Sequence, residues 1–251
     1  MSQPIKRVLI SQPKPISDNS SYYTLAQKLD LEIDFKQFIQ VVTLPATEFR
    51  KQKISIPAFS SVIFTSRTSI THFFELTEEM RLTMSQEVRY FCLTEAVALY
   101  LQKFITYRKR RVSYGTDGTL EGLLPALQKH ETENFLLPVA QEHSSELADL
   151  LKKEKLNFRE AVVYRTVSRI FPKTESLIDY DAIVFFSPQG VTSLFDNCPD
   201  FEQGDRRIIA SGPQTAKAIE QAGLRLDCML SAPGRPKSIT ESLGKFIEEQ
   251  A

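Results

Sequence analysis

Four segments of this chain are rich in hydroxyl groups and backbone donors and poor in strong acids and bases: Thr65-Ser66-Arg67, Gly115 to Thr119, Ser187-Pro188-Gln189-Gly190, and Ser211-Gly212-Pro213-Gln214-Thr215. Each follows a strand-like run, where loops and helix N-termini gather ligands in parallel α/β proteins. Such groups suit the binding of carboxylates or phosphates, with N–H donors and helix dipoles supplying the attraction. The same residues also have a purely architectural reading. Ser66, Ser187 and Thr215 fit helix caps, Pro188 and Pro213 fit first helical positions, and Gly190 and Gly212 fit turns or close packing. A further candidate is Tyr164, which puts a phenol into AVVYRTV (161–167), a run otherwise suited to a buried strand. If that run crosses between two lobes, Tyr164 faces a cleft, whereas Val41, its counterpart in FIQVVTL (38–44), does not. As an ordinary sheet tyrosine it would only set its hydroxyl at the edge of a layer.

Other familiar chemistries lack their residues. There is no G-x-S-x-G elbow and no HExxH, and His72, His130 and His143 are scattered. Cys92, Cys198 and Cys228 lack metal-ligand spacing, so neither a structural metal nor a disulfide framework is expected, and free cysteines fit a reducing compartment. Asp117 and Glu142 lie in polar stretches where a carboxylate is normally solvated. The cluster Arg108-Lys109-Arg110-Arg111 reads as a solvated turn or as a means of drawing in an anion. Lysine plus arginine and aspartate plus glutamate balance at 31 each, which argues against a general nucleic-acid binder. No apolar run reaches membrane-spanning length, and the four-residue run near the start is too short for a signal-peptide core. The loop after the first strand has no glycine, which disfavours a dinucleotide or P-loop site. The expectation is a cytoplasmic protein with little or no dependence on a cofactor.

The elements that would position these residues alternate strand and helix, which predicts an α/β fold with parallel sheets covered on both faces. Strands are expected at RVLIS (7–11), SVIFTS (61–66), VRYFCL (88–93), FLLPV (135–139), AIVFFS (182–187) and RRIIAS (206–211). Helices are expected between them, one stopping at Gly223. DFKQ (34–37) and NFRE (157–160) read as charged turns before the two crossings, and TEFRKQKISIPAFS (47–60) as a polar connector. An internal repeat is visible: FTSRTSITHFF (64–74) aligns with FFSPQGVTSLF (185–195), CLTEAVAL (92–99) with SGPQTAKA (211–218), and GTDGTLEGLL (115–124) with GRPKSITESL (234–243). Two layouts satisfy it. In one, 1–38 rejoins 168–251 as one α/β lobe, 45–160 forms the other, and 39–44 with 161–167 make a short two-stranded β-ladder between them. In the other, two tandem domains meet near residue 130.

AVVYRTV, AIVFFSPQGVTSLF (182–195), IIASGPQTAKAIEQAG (208–223) and the tail APGRPKSITESL (232–243), in this order and spacing, resemble the uroporphyrinogen-III synthase family, over nearly the whole chain. The resemblance implies the discontinuous two-lobed layout and a cofactor-independent lyase of porphyrin and heme biosynthesis. Its substrate would be the linear tetrapyrrole hydroxymethylbilane, dehydrated and cyclised with inversion of the terminal pyrrole ring. It also implies a monomer acting without nucleic acid or membrane, with transient contact to the enzyme of the preceding step. On the family pattern Tyr164 assists loss of the hydroxyl, and Thr65, Ser66, Ser187, Pro188, Gln189, Gly190 and Thr215 lie on loops that receive acetate and propionate groups. The chain departs from that pattern at Gln12, Leu93 and Ala96, and PVAQEHSSEL (138–147) lacks a glycine and a basic residue often found there. A non-catalytic bilobal binding module for another anionic small molecule would keep the lobes without turning Tyr164 to a cleft. A protein-interaction scaffold would show an exposed apolar patch elsewhere.

Overall fold

The structure is a computed structural model that describes residues 4–172, 177, 179–233 and 238–250. The chain opens with strand β1 (Arg7–Ile10), helix α1 (Ser21–Leu29), β2 (Glu32–Phe35) and β3 (Ile39–Thr43). It continues through α2 (Ala46–Phe49), β4 (Ser61–Phe64), α3 (Arg67–Glu79), β5 (Arg89–Cys92), α4 (Glu95–Tyr100), β6 (Val112–Tyr114) and α5 (Leu120–Gln128). Next come β7 (Phe135–Ala140), α6 (Glu146–Lys153), the long β8 (Phe158–Ser168), β9 (Ala182–Phe185) and α7 (Pro188–Asn197). β10 (Arg207–Ala210), α8 (Pro213–Gln221), β11 (Cys228–Met229) and α9 (Ile239–Gln250) complete it. Two compact units result, one made of 1–40 with 167–251 and the other of 41–166.

The first unit holds a sheet of order β11-β10-β9-β1-β2, with every neighbouring pair parallel. Strand residues alternate between two apolar layers, as the period of two requires. Leu9, Ile183, Phe185 and Ile208 pack with Val191 and Leu194 of α7 and Ile219 of α8. On the other face Val8, Ile10, Val184 and Ile209 pack with Leu25 of α1 and Leu243 and Phe246 of α9. β1 therefore sends its chain to one face and β9 to the other, which makes the gap between their carboxyl ends a topological switch point.

The second unit repeats this plan in a sheet of order β3-β8-β7-β4-β5-β6. Val62, Phe64 and Tyr90 pack with Ile70, Phe73 and Leu76 of α3, while Ile63, Phe91 and Leu137 pack with Leu123 and Leu127 of α5 and Leu147 and Leu151 of α6. Its switch point lies between β4 and β7. The strands that carry the chain between units, β3 and β8, are neighbours and continue this sheet rather than standing apart from it.

Three local expectations are corrected. DFKQ is not a turn throughout, because Asp34 and Phe35 belong to β2, a partly exposed edge strand whose mixture of charge and aromatic residues hides its alternation. NFRE is not a turn either, since β8 begins at Phe158. The connector after β3 contains α2, whose Ala46 and Phe49 are buried. The repeat's tail falls partly on 234–237, which lies outside the described residues. The C-terminal stop of α8 is as expected, with Gly223 at φ 77°.

Gly115 carries a steric requirement. A Cβ there would lie 2.7 Å from the Leu93 carbonyl oxygen and 3.3 Å from the Leu123 amide nitrogen, and neither backbone atom can yield cheaply. Gly115→Ala is expected to lower unfolding stability by about 2 kcal/mol, read from the urea midpoint at constant m-value. An unchanged midpoint would contradict this close packing.

Candidate active site

In the second unit, β4 ends at Phe64 and delivers Thr65 and Ser66 to the switch point. Ser66 caps α3: its side chain accepts from the Ser69 amide at 3.0 Å, and the Ser69 hydroxyl accepts from the Ser66 amide at 3.3 Å. Such a reciprocal cap is worth about 1 kcal/mol. The Ser66 side chain lies close enough to the Tyr164 phenol to favour its ionised form, against the burial that disfavours it.

Tyr164 faces the α3 layer because of an irregularity in β8. Val139 pairs with Val162, but Ala140 pairs with Tyr164, so β8 carries one extra residue at this point. In such a bulge two residues oppose one, and side chains that would alternate are turned toward one side. Val163 is buried against the layer that contains α3, and Tyr164 packs against the same layer. Hydrogen bonds and an ion pair flank the bulge at both ends. The Gln52 side chain donates to the Val162 carbonyl at 2.8 Å and accepts from its amide at 3.0 Å. The Gln141 amide donates to the Tyr164 carbonyl at 2.8 Å, and Arg165 makes a two-pronged ion pair with Glu48 at 2.8 and 3.2 Å.

His72, one of the scattered histidines, stacks on the Tyr164 ring with centroids 5.2 Å apart and planes at 30°. Its Nδ1 lies 2.7 Å from Thr43 Oγ1 and 3.0 Å from Glu75 Oε2, and the Thr43 hydroxyl also donates to Glu75. Sequence spacing gave no sign of this group, because β3, α3 and β8 bring it together. His143 is held by the Ala140 carbonyl at 2.7 Å and by Glu160 at 2.9 Å. Val41, in contrast to the half-buried Tyr164, is 43% exposed.

Burial pushes the Tyr164 phenol above its ordinary value of 10.0, while the nearby Ser66 side chain pulls the other way. The phenol is therefore neutral at pH 7 and able to donate a proton. Its proton is retained on folding to a higher pH than in the unfolded chain, so the linked stabilisation is present below pH 10 and lost as pH rises through the folded value. The Tyr164 ring carbon bearing the hydroxyl is expected to shift in NMR with a midpoint above pH 10, assigned by comparison with a Tyr164→Phe protein. A midpoint at or below 10 would contradict this burial.

In the first unit Ser187 caps α7, its side chain accepting from the Gly190 amide at 3.1 Å. Pro188 occupies the first helical turn and supplies no N–H. The Gln189 side chain donates to Ser168 Oγ at 3.2 Å, and Ser168 donates to Asp196. A Cβ at Gly190 would meet nothing closer than 3.5 Å, so packing alone does not demand glycine there. On α8 the N-cap is Gly212 without a side-chain cap, and Thr215 is buried at 3% exposure.

Ser66 and Ser187, equivalent in the sequence repeat, thus cap equivalent helices at the two switch points. Thr119 caps α5, and its aligned partner Ser238 is 3.5 Å from the Glu241 amide at the start of α9. Other candidates resolve into architecture. Asp117 accepts from the Thr119 side chain at 2.7 Å and its amide at 2.9 Å, bonds that hold its carboxyl below the usual range. In the basic cluster, Arg111 pairs with Glu87 and Arg108 with Gln86.

These features define a two-unit, doubly wound α/β protein whose switch-point helices are capped by serines, one of them near a half-buried phenol. The sequence profile of uroporphyrinogen-III synthase HemD matches residues 23–237, and the chain belongs to that family. Its members are cofactor-independent lyases. A crystal structure of uroporphyrinogen-III synthetase from Helicobacter pylori aligns with a TM-score of 0.54 at 16% identity, covering 96% of this chain and 99% of that one, and shares its fold. A mutant uroporphyrinogen III synthase from the extremely thermophilic bacterium Thermus thermophilus aligns with a TM-score of 0.45 at 17% identity, covering 98% of this chain and 100% of that one. Among curated proteins no sequence matches.

Proposed function

We propose that the chain converts hydroxymethylbilane to uroporphyrinogen III with Tyr164 as proton donor to the departing hydroxyl. The observation that carries this role is the half-buried phenol packed against the α3 layer, where Ser66 caps α3 at the switch point. A serine hydroxyl beside the phenolic oxygen would stabilise the developing phenolate as the phenolic proton passes to the leaving group. Loss of water makes an electron-poor azafulvene, whose capture by the terminal pyrrole closes the ring; inversion requires the chain to be held in a folded pose more than it requires a strong base. Thr65, Ser66, Ser187, Pro188, Gln189, Gly190 and Thr215 are assigned to the acetate and propionate groups. The working lobes are 1–38 with 168–251, and 45–160, with crossings at 39–44 and 161–167.

The protein is read as a cytoplasmic monomer. Its three cysteines are free thiols, which fits a reducing compartment. No helix among the described residues is long and apolar enough to cross a membrane. Because hydroxymethylbilane closes spontaneously without inversion, direct transfer from the preceding enzyme would limit that loss, which favours a transient contact. The test is a coupled assay with freshly generated hydroxymethylbilane, followed by oxidation and separation of type I and type III uroporphyrins. Predominant type III supports the reading. Type I alone, from folded protein, overturns it.

A further inference from the structure

Ser11 follows β1 at the first unit's switch point and is 6% exposed. Its amide donates to the Val184 carbonyl at 3.0 Å, which ties its backbone to β9. Its hydroxyl is buried and has no hydrogen-bond partner among the described residues. A buried hydroxyl left in this state destabilises the fold, and sequences ordinarily place alanine at such a position unless the group has another use.

The surroundings indicate that use. Ser11 Oγ lies 3.8 Å from the point a Cβ would occupy on Gly190, in the first turn of α7. α7 spans 10 residues, so its N-terminus carries a developed dipole. Within that turn Pro188 has no N–H and the Gly190 N–H is taken by Ser187, so the Gln189 N–H is a donor the cap does not satisfy. An orphan hydroxyl, a free amide and a helix dipole at the β1/β9 switch point form a site for one oxyanion.

We propose that Ser11 is a carboxylate-binding residue. On binding, rotation about χ1 turns its hydroxyl out of the sealed position, and it donates to an acetate or propionate carboxylate that also accepts from the Gln189 amide. The inference rests on the synthase reading for the identity of the carboxylate. Ser11 is an addition to the loop residues named above; the signal in the sequence is a hydroxyl just past a buried strand, the setting that Ser66 and Ser187 share.

The test is Ser11→Ala, with three readouts: melting temperature, steady-state kinetics on hydroxymethylbilane, and fluorescence titration with uroporphyrin III as a polycarboxylate probe. Removal of an unsatisfied hydroxyl should leave the melting temperature unchanged or raised. Loss of one hydrogen bond to a charged group should raise KM and the probe Kd about tenfold with kcat nearly unchanged. A lowered melting temperature with KM and Kd unchanged would make Ser11 a structural residue and overturn the proposal. Wild-type protein that forms type III while the variant keeps its KM removes the Ser11 site and leaves the synthase reading. Wild-type protein that forms only type I, but loses probe affinity on substitution, removes the synthase reading and leaves the carboxylate site. Wild-type protein that neither forms type III nor binds the probe overturns both.

Discussion

Tyr164→Phe is expected to lower type III formation about a hundredfold or more, the low end of what a positioned proton donor contributes. The fold should be unaffected. Phenylalanine keeps the ring that stacks on His72 and packs against the α3 layer. Ser66 keeps its bond from the Ser69 amide, so the cap survives. The variant therefore removes one oxygen and one proton from a site whose other contacts are intact. Type I continues to form spontaneously, so the readout is a shift in isomer ratio together with a fall in the type III rate. An unchanged type III rate would mean that the leaving hydroxyl takes its proton elsewhere, and Tyr164 would revert to a packing residue.

The second large effect is expected from Gln189→Glu, which is nearly isosteric and adds one negative charge in the first turn of α7. An acidic residue there is favourable for the helix, so the melting temperature should hold or rise slightly. For a substrate recognised through carboxylates the same charge is repulsive. KM should rise about thirtyfold at low salt, with much of the loss recovered at high ionic strength because the site is partly exposed and screened. Gln189→Ala removes the contact with Ser168 without adding charge, and its effect should be smaller and insensitive to salt. Equal and salt-independent effects of the two changes would show that the loop acts through shape, and would remove the electrostatic assignment.

The alternation of strands and helices was legible because both sheets are buried on two faces, so SVIF and AIVF are plain apolar runs. Ser66 and Ser187 were legible as a pair because capping is local chemistry, set by the serine and the three residues that follow. What could not be read depends on neighbours distant in sequence. The β2 edge strand is short and half exposed, and its register comes from β1 rather than from its own composition. His72 acquires its place only when α3 packs beside β8, and nothing at its own position announces a stacking partner 92 residues away. Ser11 reads as the last residue of a buried strand, and its lack of a partner is visible only when β9 and α7 surround it.

The bulge in β8 bears on how relatives of this chain are compared. In a strand, the face a side chain occupies depends on whether its position is odd or even, and the extra residue before Tyr164 changes that parity. A homologue with the same letters but a regular strand, in which the residue before the tyrosine pairs opposite Ala140, would align well, yet would present the phenol to the α6 side of the sheet, away from Ser66. Conservation of AVVYRTV as letters is thus weaker information than conservation of the bulged pairing that sets the tyrosine opposite Ala140. Relatives that keep that pairing should share the position of this phenol even where the letters around it have changed.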